Sequence, residues 1–407
     1  MTALTHSETL LKDLGKMPIF RLSLGSKELF HSNFLELLWR LDRSSFIKMI
    51  RQLLNDDSFL PLDPKEYVLS REKEHFDICI FHKYKNCIIY DLILENKVKS
   101  IPEKGQLSRY RATIDELNTK KKKEETKSSP RYLLLSLATV FPDSPSVLKP
   151  WEIVHYNSLK AAIEKQSWPE TKDGFNYKVY IADYCEFIGK LHELAESILV
   201  DLDNEFLFQD VNAFVGERMH DIYIKLRCTS FMLRLKTLLE NNENNVPVRI
   251  LAAECIRKED ENGAYINKAG VYLNVNIFNA VGQIGALIWD GAGDIYEVVI
   301  QGEQYRHGIN PRKKETGKDT REMLDKMWKR HMNDQRASRF LNKILDKAPH
   351  ECDDQEKAGP YNQYDDAYVY RYVNYKKDLN LIVEDLLGVM ADDIVATYRT
   401  LTLQPTL

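Results

Sequence analysis

The chain has 407 residues, 43% hydrophobic and 29% charged, enough to bury a sizeable core in two or three domains without disulfides or structural metal. A formal net charge of −4 excludes a molecule that coats nucleic acid by its overall charge, so any polyanion site has to be a local patch. The six cysteines (Cys79, Cys87, Cys185, Cys228, Cys255 and Cys352) form no CxxC pair and have no histidine cluster beside them, which argues for reduced thiols and against a disulfide framework or zinc site. No window reaches about 18 apolar residues, and Met1 to Leu11 lacks a basic region followed by a long apolar run. No membrane segment or signal peptide is expected, and the expected location is the cytoplasm.

Residues 27 to 54 predict one helix, with Phe30, Phe34, Leu37, Leu38 and Leu41 at helical spacing, Ile47, Ile50 and Leu54 continuing the stripe, and Ser26 as N-cap. Strands are expected around Tyr67 to Leu69, from Phe76 to Phe81 and from Cys87 to Leu94. The last is apolar on both faces except at Asp91, the pattern of a central, doubly covered strand. Pro102-Glu103 opens a helix to about Leu117. A charged loop over Lys120 to Lys127, a buried strand over Arg131 to Ala138, a short strand over Trp151 to His155 and helices over 158–164 and 183–200 follow. This order predicts an α/β domain over residues 1–204.

Residues 205–407 predict a separate α+β domain. Its elements are a long helix over 206–243, strands at Val248 to Cys255, Val271 to Ile277, Gly285 to Trp289 and Ile295 to Ile300, and turns at Asn262-Gly263 and Asp290-Gly291. A helix over 321–345, a strand over 367–375 and a closing helix over 379–398 complete it. Tyr305-Arg306-His307-Gly308 reads as a turn after the hairpin.

The chemistry concentrates in Glu95-Asn96-Lys97 and in Asp77, 18 residues upstream of Glu95 in the preceding strand. Side chains two apart on a strand share a face, so Glu95 and Lys97 project together while Asn96 points away and offers its backbone carbonyl. Carboxylates suit a hard divalent ion, and an ammonium beside them suits a phosphate. On this reading Asp77, Glu95 and the Asn96 carbonyl hold metal, and Lys97 holds the attacking water or steadies the phosphate. A structural Asp77–Lys97 salt bridge is the competing explanation. Gln106 and Tyr110 lie four apart on the following helix, placed either to meet a phosphate or to form an ordinary amphipathic face. Glu28, near a helix start, is either an additional metal ligand or a charge favourable to the helix dipole. Glu72 and Glu74 are also close in sequence.

Together, Glu28 with His31-Ser32-Asn33-Phe34-Leu35, Asp77-Ile78, Glu95-Asn96-Lys97 and Gln106-x-x-x-Tyr110 resemble the PD-(D/E)XK nuclease superfamily. The likeness is to a bacterial branch with an HSxFL helix and a QLxxY helix, and it covers roughly residues 25 to 140. It implies a restriction-endonuclease-like αβββαβ core with a mixed central sheet, dependence on Mg²⁺ or Mn²⁺, and cleavage of DNA. It matches Asp77 to the first acid, Glu95 to the second, Lys97 to the lysine, Glu28 to the helix acid, and Gln106 and Tyr110 to the trailing motif. His75-Phe76 replaces the proline-containing approach that named the superfamily, a position that varies among its branches. By family analogy alone the role is that of a restriction-like or phage-defence effector.

The rest of the chain carries no catalytic signal. Residues 301 to 347 hold 13 Lys or Arg against 7 Asp or Glu, densest at Arg312-Lys313-Lys314 and at Lys326, Lys329 and Arg330. This stretch is either a grip on the DNA backbone or a solvated helix face. Residues 351 to 400 reverse the balance, with 11 acids against 5 Lys or Arg. The aromatic strand Tyr368 to Tyr375 suits base stacking or a packed sheet face. Target recognition, homodimerisation or capture of a protein partner all fit the C-terminal domain. The leading expectation is a Mg²⁺-dependent DNA endonuclease. The alternatives are a non-catalytic module binding nucleic acid or protein on a nuclease-like fold, and a phosphodiesterase acting on small nucleotides or RNA.

Overall fold

The computed structural model describes residues 6–24, 27–84, 87–98, 104–119, 130–141, 148–199, 205–209, 211–241, 246–250, 269–278, 281–289, 295–310, 322, 326, 328, 357–358, 361–364 and 368–403. The chain is mixed α/β and divides into two compact units, residues 1–199 with 210–226 and residues 200–209 with 227–407. Among the described residues no helix is long and apolar enough to cross a membrane.

The first unit opens with α1 (His6–Lys16) and α2 (Pro18–Ser23), which the sequence reading leaves unassigned. The single helix expected over 27–54 is instead two, α3 (Lys27–Leu41) and α4 (Arg43–Leu53). Asp42 makes the break. Its backbone is extended, and its carboxylate accepts the Ser44 N–H at 2.9 Å and the Ser45 hydroxyl at 2.7 Å, so it caps α4. The apolar stripe runs on across the cap, with Trp39 edge-on to Phe46 at 5.5 Å.

Strands β1 (Val68–Lys73), β2 (Phe76–Tyr84) and β3 (Cys87–Lys97) form an antiparallel meander. The helix α5 (Lys104–Thr119) leads to β4 (Arg131–Ser136), parallel to β3, and β5 (Trp151–His155) lies parallel to β4. The mixed sheet runs β1-β2-β3-β4-β5, with β3 in the middle as its two apolar faces predict. Cys79, Phe81, Ile93, Tyr132, Leu134 and Trp151 form one core layer with Leu107 and Ile114 of α5. Helix α3 lies against β1 to β3, and α6 (Tyr156–Glu164) against β5. After a hairpin of two-residue strands, β6 (Thr171–Lys172) and β7 (Phe175–Asn176), helix α7 (Tyr177–Ser197) begins well before residue 183. Asn176 caps it by accepting the Lys178 N–H at 3.1 Å.

The long helix expected over 206–243 is likewise broken. Residues 205–209 are not helical, and α8 (Val211–Gly216) is separated from α9 (His220–Glu240) by Arg218 at φ 54°. The division between the units falls within α9.

The second unit is an eight-stranded sheet. In chain order its strands are β8 (Val248–Ile250), β9 (Gly270–Phe278), β10 (Val281–Trp289), β11 (Ile295–Gln301), β12 (Gln304–Asn310), β13 (Lys357–Ala358), β14 (Tyr361–Tyr364) and β15 (Tyr368–Asn374). In space they run β13-β14-β15-β12-β11-β10-β9-β8, antiparallel except for β8 with β9. Helix α10 (Val383–Leu403) packs on β9 to β11. The segment Tyr305 to Gly308 is part of β12, not a turn; the turn is earlier, with Gly302 at φ 56°. Tyr305, His307 and Ile309 are buried at strand alternation, whereas Gln304 and Arg306 are half-buried. Ser26, Pro102-Glu103, the loop over 120–127, the turns at 262–263 and 290–291 and most of 321–345 lie outside the described residues.

His307 is 1% exposed, and its Nε2 lies 2.9 Å from Asp393 Oδ2 on α10; the Tyr305 hydroxyl donates to the same oxygen. Removing Asp393 strands a buried imidazole and a buried hydroxyl together. Asp393→Ala is expected to cost about 3 kcal/mol in urea denaturation, and Asp393→Asn, which keeps an acceptor, clearly less.

Candidate active site

The antiparallel ladder of β2 and β3 ends at Ile78 opposite Leu94, but β3 runs on beside β4 until Lys97 stands opposite Ser136. The Lys97 carbonyl accepts the Leu137 N–H at 2.9 Å, so Lys97, and Glu95 two residues before it, direct their backbone bonds to β4. The Asn96 amide therefore faces the β2 side, beyond the end of the ladder. β2 reaches back to Phe76, just after the turn through Glu74 and His75 (φ 54° and 69°), but its pairing with β3 stops at Ile78. The Asp77 side chain takes the place of the missing backbone acceptor, its Oδ2 receiving the Asn96 N–H at 2.7 Å.

Glu95 and Lys97 share a face and pair at 2.7 Å, at 3% and 7% exposure. Lys97 is thus the partner of Glu95. Glu28, at the start of α3, stands at the same strand end, its Oε1 accepting the Val98 N–H at 3.3 Å. Burial pushes the Glu95 carboxyl up to about 7; the Asp77 charge adds to the rise, Lys97 opposes it and Glu28 adds further. Burial also raises Asp77, against the Asn96 N–H and Lys97, with Glu28 and Glu72 pushing the same way as burial. Burial alone would lower Lys97, but Glu95, with Glu28 and Tyr110, carries it above the usual lysine range.

The Asn96 side chain turns to the opposite face and is fully buried. Its Nδ2 donates to the Glu28 carbonyl at 2.9 Å, and its Oδ1 accepts from the Tyr156 hydroxyl at the start of α6. Beyond Tyr156 lies His31, ring centroids 4.9 Å apart, with its Nδ1 2.9 Å from the Tyr184 hydroxyl. Burial holds the His31 imidazole down at about 3, so it stays neutral.

The structure therefore gathers Glu28, Asp77, Glu95, Asn96 and Lys97 at one end of β3. Tyr110 joins them from α5, edge-on to Phe76 at 5.4 Å and within electrostatic reach of Lys97. Gln106 lies one turn earlier on the same helix, and its side chain is outside the described residues. Glu72 is exposed, and Glu74 sits in the exposed turn. Tyr156 escapes sequence reasoning, because its partner is 60 residues away and a tyrosine opening a helix carries no signal of its own. In the second unit Lys326 is exposed and pairs with Glu322 at 3.3 Å, as on a solvated helix face. Arg312, Lys313, Lys314, Lys329 and Arg330 lie outside the described residues.

Among the described residues no three His, Cys, Asp or Glu side chains stand ready-grouped around a metal position. The donor chemistry nevertheless fits a hard divalent ion: two carboxylates and a backbone carbonyl at one strand end, with a third carboxylate alongside. Burial is the chief cause of the rise at Asp77 and Glu95; the smaller part, repulsion by Asp77 and Glu28 at Glu95 and by Glu28 and Glu72 at Asp77, is what a cation relieves. Comparison of the chain with protein-family models, with curated proteins and with solved structures finds no match in any of the three.

The crowding predicts a stability effect. Asp77→Asn removes one of the repelling charges while its side-chain oxygen can still accept the Asn96 N–H. At neutral pH the metal-free variant is expected to melt above the parent, by about 2–4 °C for each kcal/mol relieved. A scan in the presence of a chelator checks this.

Proposed function

We propose that the first unit is a metal-dependent nuclease that hydrolyses DNA phosphodiester bonds on a restriction-endonuclease-like core. The carrying observation is that β3 runs on past its pairing with β2, which brings Asp77, Glu95, Asn96 and Lys97 together at the end of β3 beside Glu28. The order of α3 and α4, the meander β1 to β3, α5 and a parallel β4 agrees with the αβββαβ arrangement the sequence resemblance implies. Asp77, Glu95 and the Asn96 carbonyl would hold Mg²⁺ or Mn²⁺, with Glu28 as an additional oxygen donor. When bound, the ion supplies Lewis acidity at a phosphoryl oxygen.

The remaining work belongs to the chain. Lys97 keeps its proton because Glu95 and Glu28 hold it charged, so it meets a phosphate as a cation. Glu95, as a carboxylate at 2.7 Å from Lys97, is the group that keeps that ammonium in place. Tyr110 lies within electrostatic reach of Lys97. A place in defence against foreign DNA, assembly as a homodimer, and a recognition or partner-binding role for the second unit rest on the family resemblance alone.

One observation favours a second reading, a non-catalytic module on the same framework: Glu95 and Lys97 are almost sealed and pair with one another. The two readings separate on plasmid DNA. The nuclease reading expects Mg²⁺-dependent nicking that falls by about a hundredfold or more in Lys97→Ala and in Glu95→Gln. Equal cleavage by parent and variants, or none by the parent across DNA and RNA substrates, favours the module.

A further inference from the structure

We propose that Tyr156 is a positioning residue of the candidate site: through Asn96, its hydroxyl sets where the Asp77 and Glu28 carboxylates stand. This rests on the metal-binding reading of that site. Asn96 occupies the middle of the acid-x-lysine triplet and is fully buried, so each of its polar groups needs a protein partner. Its backbone N–H holds Asp77 Oδ2 at 2.7 Å, and its Nδ2 holds the Glu28 carbonyl at 2.9 Å. Its third bond, at Oδ1, is the one from Tyr156.

These partners also fix the orientation of the carboxamide. A carbonyl can only accept, so Nδ2 faces Glu28; Oδ1 is then left to accept from the Tyr156 hydroxyl. Asn96 thus grips one acid through its backbone and the backbone of another through its side chain. A shift of Asn96 moves both.

Tyr156 is itself fully buried at the first position of α6, with the His31 ring against it. No solvent reaches the bond to replace a lost hydroxyl. The aromatic ring alone would fill the space between α3 and the sheet, so the hydroxyl is the part of Tyr156 that acts on the site. Tyr184 provides the internal comparison. It too is a fully buried tyrosine, but its hydroxyl meets His31 and not Asn96.

The test is Mn²⁺ titration of the full chain, with free Mn²⁺ followed by electron paramagnetic resonance and thermal denaturation recorded alongside. Tyr156→Phe is expected to weaken Mn²⁺ binding about tenfold, with Tyr184→Phe unchanged from the parent. Asn96→Ala is expected to lose at least as much as Tyr156→Phe, and it carries the comparison should Tyr156→Phe not fold. Parent-like Mn²⁺ affinity in Tyr156→Phe, or an equal loss in Tyr184→Phe, overturns the positioning role and leaves the nuclease reading standing. A parent protein that binds no Mn²⁺ removes both.

Discussion

The first unit is organised around the point where two strands stop pairing. β3 continues past the point where its pairing with β2 stops, so one backbone amide in the middle of the sheet has no ladder partner. A buried amide cannot be left unsatisfied without a cost of about 1–3 kcal/mol. The Asp77 carboxylate settles that account, and in doing so it is drawn to the end of β3 where Glu95 and Lys97 project. Backbone geometry thus concentrates the charges, and their chemistry follows from where the ladder stops.

The same kind of constraint is met differently in the second unit. There an acid meets neutral or basic partners: Asp393 Oδ2 accepts from Tyr305 and meets His307, and α10 is anchored to β12. Opposite polarities are matched inside that cluster, whereas the end of β3 gathers several acids around one lysine. The first arrangement explains itself as packing. The second leaves like charges facing one another.

Much of the first unit was legible in the sequence. β3 reads correctly because it is apolar on both faces, and period-two alternation puts Glu95 and Lys97 on one side without further information. Glu28 was left between a metal ligand and a charge favourable to the helix dipole until the family resemblance weighed in, since nothing in a helix start says what its carboxylate will meet. The break between α3 and α4 was hidden because the apolar stripe continues through it, and a single Asp42 decides it by capping. β12 was hidden for a related reason. His307 looks like a surface residue until Asp393, 86 residues later, supplies its partner. Asn96 shows the limit most clearly: its carbonyl was legible as a donor, but the grip of its side chain on Glu28 and Tyr156 exists only once α3 and α6 have packed behind the sheet.

The charge arrangement bears on why such a cluster persists. A buried ion pair seldom stabilises a fold more than apolar residues of similar volume would. Glu95 and Lys97 could therefore be replaced with little loss if stability were all that mattered. Asp77 and Glu28 make the balance worse, since both push Glu95 toward protonation. A sequence selected only to fold would neutralise at least one of these groups; Asn at position 77 would keep the hydrogen bond to Asn96 without the charge. The fold instead keeps the carboxylates, buries Glu95 and half-buries Asp77 and Glu28, and ties the anchor of those two to Tyr156. Local rules of stability are broken most often where a site needs charge held in place. That asymmetry, more than any single distance, is why the end of β3 is read as a site of chemistry and the Tyr305, His307 and Asp393 cluster as a clamp.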